Sequence, residues 1–512
     1  MAPSTARPAS NPRGAVAHQL AVPALLVAAA VHSVVSRRRR AHTTNPHRRW
    51  HGTSSSLRVP GRHVHIVTTA ALPWLTGTAV NPLLRAAYLS RDSGRRVTLM
   101  IPWLDSKADQ EIVFPKGVSF DSPYEQEQWV LGWLRQRVPS FEPRFAIVWY
   151  KARYVNGFKS IFPSEDVAAL VPAAEADVAV LEEPEHLNWL STGTRWLDHF
   201  GHVVGVMHTN YVDYVEREIG RVAARGFAGV NEWMVRMHCH KVIKLSDAVQ
   251  WLPRQVTVFV HGVADTFLAV GDKMQRRPQG FDKGMYFIGK CVWGKGYTEL
   301  LQLLSEHAGR QGGGRGARLD VYGDGEDLPA VKSKAAELGL VPDTCAFHGR
   351  MDHLDERIHG YKVFVNPSTS DVVATTSAEA LAMGKFVVCA VHPENAFFSR
   401  FANCLQYSTS EEFSACLAQA AAGQPAPLTS EERRSLTWAA ATERFLDAAA
   451  LEPGEWPRPL GAAAAKAASM SYSSAMRVIK ATEHSLAVAS KGMRRTLSGQ
   501  LLRGDEPAPA ES

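Results

Sequence analysis

The sequence predicts an α/β protein built from two doubly wound domains that face each other across a cleft. Short apolar runs alternate with helix-length stretches in two successive series, one over residues 61–275 and one over 276–450, as parallel sheets with crossover helices require. Glycine-bearing turns fall where several of these runs end. A chain of 512 residues also exceeds one ordinary core, so two domains of roughly 200 residues each are expected.

The first series opens on "HVHIVTTAALPWLTGTAVNPLLRAAYLSRDSGRRVTLMIPW". It reads as a strand over His63 to Thr68, a loop holding Gly77, a helix from about Asn81 to Ser90 and a strand over Val97 to Ile101. Further strands are predicted at Phe145 to Trp149, Val178 to Leu181, Val203 to Met207 and Val256 to Phe259. Residues 106–143 read as an insertion with one amphipathic helix carrying Trp129 and Trp133. In the second series "GMYFIGK", "RLDVYGDG", "CAFHGR", "YKVFVNPS" and "KFVVCA" are the strand candidates. Helices are expected at about 298–307, at 328–338 and around Glu379.

Both ends depart from this pattern. Residues 1–60 hold nine Arg and no acidic residue, leaving 48 Lys plus Arg against 50 acidic residues elsewhere, so the net charge of +7 belongs to the leader. The body has no basic stripe to track a phosphate backbone, which argues against nucleic acid as a partner. An organellar transit peptide fits the leader's Arg, Ser, Thr, Pro and Ala. A secretory signal or a single anchoring helix stays open, because Ala15 to Val35 nearly reaches spanning length although His18, Gln19 and His32 interrupt it. A plain extension is the third reading.

Residues 451–512 read as a helical segment and a disordered tail. They form either a surface helix or a membrane-surface one, with Met493, Leu497, Leu501 and Leu502 beside Lys491, Arg494 and Arg495. Six scattered cysteines without CxxC spacing point to a reducing compartment and away from a structural metal.

The candidate chemistry lies at strand ends. Lys290 and Lys295 stand in a glycine-rich loop between a strand and a helix, where fixed positive charge and helix-start amides suit a diphosphate. Gly323 and Gly325 form a strand-to-helix turn that lets backbone approach a ligand, although many such turns are only structural. Asp371 precedes a helix and Glu379 lies along it among apolar neighbours, where a carboxylate needs donors such as sugar or ribose hydroxyls, or else a structural partner.

Gly77 and Thr78 can bring backbone close to an acceptor or a phosphate. His208 follows a strand at the carboxyl edge, as His261 and Gly262 do at what reads as the domain junction. Glu182, Glu183, Glu185 and His186 form a polar cluster suited to substrate hydroxyls. No HExxH, GxSxG or Walker loop is present, which removes the usual support for metallohydrolase, serine hydrolase and P-loop chemistry.

Seven of these stretches together, "TGTAVNPLLRAAYL", "LEEPEHLNW", "GVMHTNYVDYV", "VFVHGVADTFL", "FIGKCVWGKGY", "VYGDGED" and "VFVNPSTSDVVATTSAEALAMGK", resemble the digalactosyldiacylglycerol synthases of plants and algae. These are retaining family 4 glycosyltransferases with two Rossmann-like domains, the GT-B fold. The likeness covers about residues 61–450 and implies transfer of galactose from UDP-galactose to monogalactosyldiacylglycerol.

The resemblance implies an acceptor-side domain over 61–275 and a nucleotide-sugar domain over 276–450. Lys290 and Lys295 would take the diphosphate, Glu379 the ribose and Asp371 the donor sugar, with His208 near the reaction centre and Gly77 in the donor-facing loop. Asp371, followed by Val372 and Val373, departs from the wider superfamily, which has Glu, a glycine and a bulky apolar residue there. The same resemblance implies no tightly bound cofactor, magnesium allowed but not required, a peripheral membrane position on a galactolipid surface, and the outer envelope of the plastid.

Overall fold

The computed structural model describes residues 55–451 except 139–141, 143, 157, 191–192, 219 and 311–317. The leader up to residue 54 and the C-terminal segment from 452 lie outside the described residues.

The first half contains β1 (His63–Val67), α1 (Gly77–Leu89), β2 (Arg96–Leu104), α2 (Lys107–Val113), α3 (Pro123–Arg137), β3 (Ala146–Val155), β4 (Ser160–Pro163) and β5 (Val178–Glu182). It continues with α4 (Pro184–Trp189), α5 (Trp196–His199), β6 (His202–Met207), α6 (Tyr211–Glu218), α7 (Arg221–His238), β7 (Lys241–Lys244) and β8 (Gln255–Thr257). These strands form a sheet in the order β4-β3-β2-β1-β5-β6-β7-β8, parallel except for β4 against β3. Strands β1, β5 and β6 are buried along their whole length, as central strands covered on both faces must be.

The second half contains α8 (Asp265–Gln275), β9 (Lys283–Ile288), α9 (Tyr297–Arg310), β10 (Leu319–Tyr322), α10 (Leu328–Glu337), β11 (Cys345–Phe347), α11 (Glu356–His359) and β12 (Tyr361–Asn366). It ends with α12 (Thr375–Ala382), β13 (Phe386–Ala390), β14 (Cys404–Tyr407), α13 (Ser410–Ala422), α14 (Ser430–Leu436) and α15 (Trp438–Ala448). The sheet order is β11-β10-β9-β12-β13-β14, all parallel.

Each sheet reverses its winding once, between β1 and β5 in the first and between β9 and β12 in the second. At such switch points the loops diverge and leave a crevice at the carboxyl ends of the strands. The two halves are joined by direct contacts. The Ser246 hydroxyl donates to the Val372 carbonyl, Arg137 pairs with Asp352, and Lys159 Nζ lies 2.9 Å from Glu326.

Several boundaries differ from the sequence reading for physical reasons. Helix α1 begins at Gly77, four residues before the expected start, and Pro82 sits inside it. Proline has no N–H for the carbonyl of Thr78, and the Thr68 hydroxyl supplies the missing donor. Residues 106–143 hold two helices, not one. Trp129 and Trp133 are partly buried and pack onto the first core. Helix α15 crosses back: Trp438, Ala441, Phe445 and Leu446 are buried in the core of the first sheet, while Phe267 and Leu268 of α8 belong to the second core.

Candidate functional site

Four switch-point loops build the site. After β9 the chain makes a short turn, Trp293–Lys295, closed by Gly296 at φ +83°. A Cβ there would meet Pro367 and Ser368 backbone atoms at 2.8 Å, so only glycine lets this turn lie against the loop after β12. The two loops are clasped by the Ser370 hydroxyl donating to the Gly294 carbonyl and by an ion pair between Lys295 Nζ and Asp371 Oδ1.

Burial opposes the Lys295 charge, yet Asp371 and Tyr214 hold its pKa well above the ordinary lysine range. Tyr214 belongs to α6 of the first half and reaches Gly294, so this corner is shared by both halves. Lys290 is exposed, and among the described residues its ammonium makes no hydrogen bond or ion pair.

Glu379 stands on α12 with its side chain 24% exposed, and its Oε2 lies 2.7 Å from His353 Nδ1. His353 Nε2 is in turn 2.7 Å from the buried Tyr286 hydroxyl. A carboxylate that accepts from Nδ1–H leaves Nε2 to accept from the tyrosine, so the chain Tyr286–His353–Glu379 fixes both the tautomer and the carboxylate.

The first half contributes a second buried relay. Glu182 is fully buried, accepting from Arg85 Nε at 2.7 Å on one oxygen and paired with His208 Nε2 on the other. Burial resists its charge, but Arg85 and His208 outweigh that cost and hold its pKa below the usual range. Arg85 also donates to the Val260 carbonyl and lies 4.6 Å over the Phe445 ring, which ties this relay to α15. With Nε2–H committed to Glu182, Nδ1 of His208 is the acceptor.

Other sequence candidates take different places. Glu183 sits at φ +69° at the start of α4, its carboxylate surrounded by Thr69, Thr209, His186 and Tyr211. His186 Nε2 donates to the Ile161 carbonyl. Glu185 is fully buried with neither oxygen hydrogen-bonded, and burial, with the Glu183 charge beside it, pushes its pKa well up. All four of Glu182, Glu183, Glu185 and His186, expected to face substrate hydroxyls, are buried, and Glu182, Glu183 and His186 have internal hydrogen-bond partners.

His261 is 2% exposed and lies between the His208 and Trp438 rings, tilted against both, with neither ring nitrogen hydrogen-bonded, and burial holds its pKa well below the ordinary histidine value. A Cβ on Gly262 would meet the Trp438 nitrogen at 2.4 Å, so that glycine serves the docking of α15.

Gly323 and Gly325 likewise pack loop on loop. A Cβ on either would strike the Gly289 or Cys291 carbonyl oxygen, at 1.9 and 2.3 Å. Their own N–H groups go to the Gly349 carbonyl and the Asp324 carboxylate. They hold the Lys290 loop in place and present no free amide. Gly77 and Thr78 occupy the first turn of α1 at the carboxyl end of β1, where a helix start offers amide donors.

The sequence reading passed over Arg85, Tyr214, Tyr286 and His353. Arg85 carried a signal, a lone charge in the apolar run "NPLLRAAYL", whereas nothing local marks His353.

With this geometry in hand, comparison with known proteins identifies the chain's relatives. A family model described as "Glycosyl transferases group 1" matches residues 282–414. Digalactosyldiacylglycerol synthase 1 of Glycine max is 50% identical over 396 residues, 76% of this chain and 50% of the relative. Digalactosyldiacylglycerol synthase 2 of Arabidopsis thaliana is 49% identical over 392 residues, 75% of this chain and 81% of the relative. The chain belongs to the digalactosyldiacylglycerol synthase family. It spans about half the length of the synthase 1 relatives it matches and about four fifths of the synthase 2 relatives.

Among solved structures, S. aureus TarM is similar at a TM-score of 0.49 and 10% identity, over 76% of this chain and 99% of that one. The two doubly wound sheets meeting at their carboxyl edges are a GT-B architecture. Among the described residues no group of three or more His, Cys, Asp or Glu is placed to hold a metal ion, and no helix is long and apolar enough to cross a membrane.

Proposed function

We propose that this chain transfers galactose from UDP-galactose to monogalactosyldiacylglycerol with retention at the anomeric carbon, giving digalactosyldiacylglycerol and UDP. The observation that supports the reading is the presence of three internally paired polar sets where strands of the two sheets end: Lys295–Asp371, Tyr286–His353–Glu379 and Arg85–Glu182–His208. The family's relatives are named for this product, and their names mark them as chloroplastic. A plastid location on the outer envelope surface, with peripheral membrane association, goes with the reading.

Each set has a role. Lys295 and the exposed Lys290 neutralise the diphosphate, aided by amides at the start of α1 around Gly77 and Thr78, which lowers the cost of charge developing on the leaving UDP. As the diphosphate takes Lys295, Asp371 is released from its ion pair and is free to accept from donor-sugar hydroxyls. Glu379, oriented by His353, accepts from the ribose. His208, with Nε2 held by Glu182, presents Nδ1 as an acceptor beside the reacting sugar. The acceptor hydroxyl attacks on the face the diphosphate leaves, and a phosphate oxygen takes its proton.

The test is product analysis. Purified protein is incubated with vesicles containing monogalactosyldiacylglycerol and radiolabelled UDP-galactose, with UDP-glucose in parallel. A labelled digalactosyl lipid with a new α linkage is the expected product. Label passing only to water, or to a soluble sugar, would exclude the lipid acceptor, and equal transfer from UDP-glucose would exclude the donor assignment.

A further inference from the structure

Beside the Lys295–Asp371 pair lies a carboxyl that neither the sequence reading nor the roles above use. Glu394 sits on the short turn Pro393–Asn395 that follows β13, at the carboxyl edge of the second sheet. Its side chain is fully buried, and neither carboxylate oxygen has a hydrogen-bond partner. The nearest ionisable group is His392, whose Nδ1 lies 3.4 Å from one oxygen and equally far from the Glu394 N–H. The Oδ1 of neighbouring Asn395 is buried and unpartnered as well, although its amide donates to the Ala390 carbonyl. Two buried oxygens without any partner, Glu394 Oε1 and Asn395 Oδ1, and a third, Glu394 Oε2, held only by the long contact to His392, mark an unfinished hydrogen-bond site on this turn.

The groups around Glu394 come from every packed neighbour. Asp371, in the loop before α12, repels its charge, and Lys295, in the turn before α9, stabilises it. Cys389 of β13 and Tyr407 of β14 flank it from the sheet; the contact with the Cys404 thiol, then burial, pushes the Cys389 pKa up, and burial, then neighbouring charge, pushes that of the Tyr407 phenol up. Tyr407 in turn feels Glu299 of α9.

Resting on the donor-site reading above, we propose that Glu394 is a proton-carrying group of the donor site: it takes up a proton as the donor diphosphate arrives, so that the anion meets a neutral carboxyl beside Lys295. The balance of neighbours supports this. Burial first, then the opposing effect of His392 and the repulsion of Asp371, set the Glu394 pKa at about 7 in the ligand-free protein. A bound diphosphate draws Lys295 to itself and adds negative charge, and both changes favour the protonated carboxyl.

The sign of the linkage follows. The complex binds more protons than the free protein, so affinity falls as pH rises above about 7, by up to about tenfold per pH unit until the pKa of the complex is passed. A neutral carboxyl also has an O–H to donate, which an ionised one lacks.

Calorimetric titration of the full chain with UDP-galactose, without acceptor and in two buffers of different ionisation enthalpy from pH 6.5 to 8.5, reads this directly. The diphosphate of UDP-galactose has no ionisation in that range, so any proton taken up goes to the protein. The expected result is uptake rising toward about one proton above pH 7, lost in Glu394→Gln and kept in Glu394→Asp. No buffer-dependent heat in the wild type, or the same uptake in Glu394→Gln, overturns the proposal. If the glutamine variant fails to fold, a wild type without proton uptake still overturns the proposal. Absence of any binding heat in the wild type would instead overturn the donor reading itself.

Discussion

Lys290 and Lys295 looked equivalent as letters in one loop, yet the fold separates them. Lys295 is about one-third exposed and ion-paired to Asp371, while Lys290 stands in solvent. A charge-assisted contact in a partly enclosed site contributes about 1.5–3 kcal/mol, whereas an exposed, screened charge contributes less than about 1 kcal/mol. Lys295→Ala is therefore expected to weaken UDP binding by about tenfold or more, and Lys290→Ala by less than about fivefold with most of that effect lost at high salt. Titration calorimetry at low and high ionic strength separates the two, and equal losses would remove the distinction. Charged residues flanked by strand and helix signals, such as these lysines, Asp371 and Glu379, were legible from the sequence. Their partners His353, Tyr286 and Arg85 were not, because those contacts join residues far apart in the chain and leave no local pattern.

At the scale of elements, helix α4 shows how a correct strand end can still mislead. The run "LEEPEHLNW" does follow a strand, but the helix tucks against α7 and takes its acids into the interior. Burial raises the folded pKa of Glu185 well above about 4.3, the value expected in the unfolded chain. For a carboxyl raised in this way, stability is fully present below the unfolded pKa and is lost as pH rises toward the folded one, at up to about 1.36 kcal/mol per pH unit. Glu185→Gln, which cannot ionise, should match the wild type at about pH 4 and exceed it increasingly up to pH 8 in urea denaturation. A difference independent of pH would mean the side chain matters only for its shape. The same limit explains the strands absent from the sequence reading. In β7, "KVIK", lysines stand at both ends, and Lys244 is buried only because its ammonium reaches the Val249 carbonyl and Asp247. Strands β4 and β14 are four residues each, too short for a period-two pattern to stand out.

Across the whole molecule, two similar halves were legible because parallel sheets repeat a strand–helix rhythm, but the seam between them was not. Periodicity reports which residues are buried and says nothing of which core receives them. The sequence reading divides the chain between 275 and 276 and ends the second half at 450. In the structure α8 already belongs to the second core, and α15 returns to the first, held by Trp438 and Phe445 in the core and by Arg58 reaching Glu443 and Asp447 at the surface. A fragment of residues 276–450 would thus lose Phe267 and Leu268 from its core while exposing Trp438 and Phe445, aromatic side chains that each bury roughly 150–250 Å². A fragment of residues 259–436 keeps the second core whole and exposes neither. The expected outcome is cooperative thermal unfolding with little binding of a hydrophobic dye for 259–436, against a broad transition with strong dye binding for 276–450. If both unfold alike, α8 and α15 add little to either core. If the expected difference is found, the returning helix joins the halves mechanically: Arg85, which lies over Phe445 and holds Glu182 and through it His208, would feel any displacement of α15.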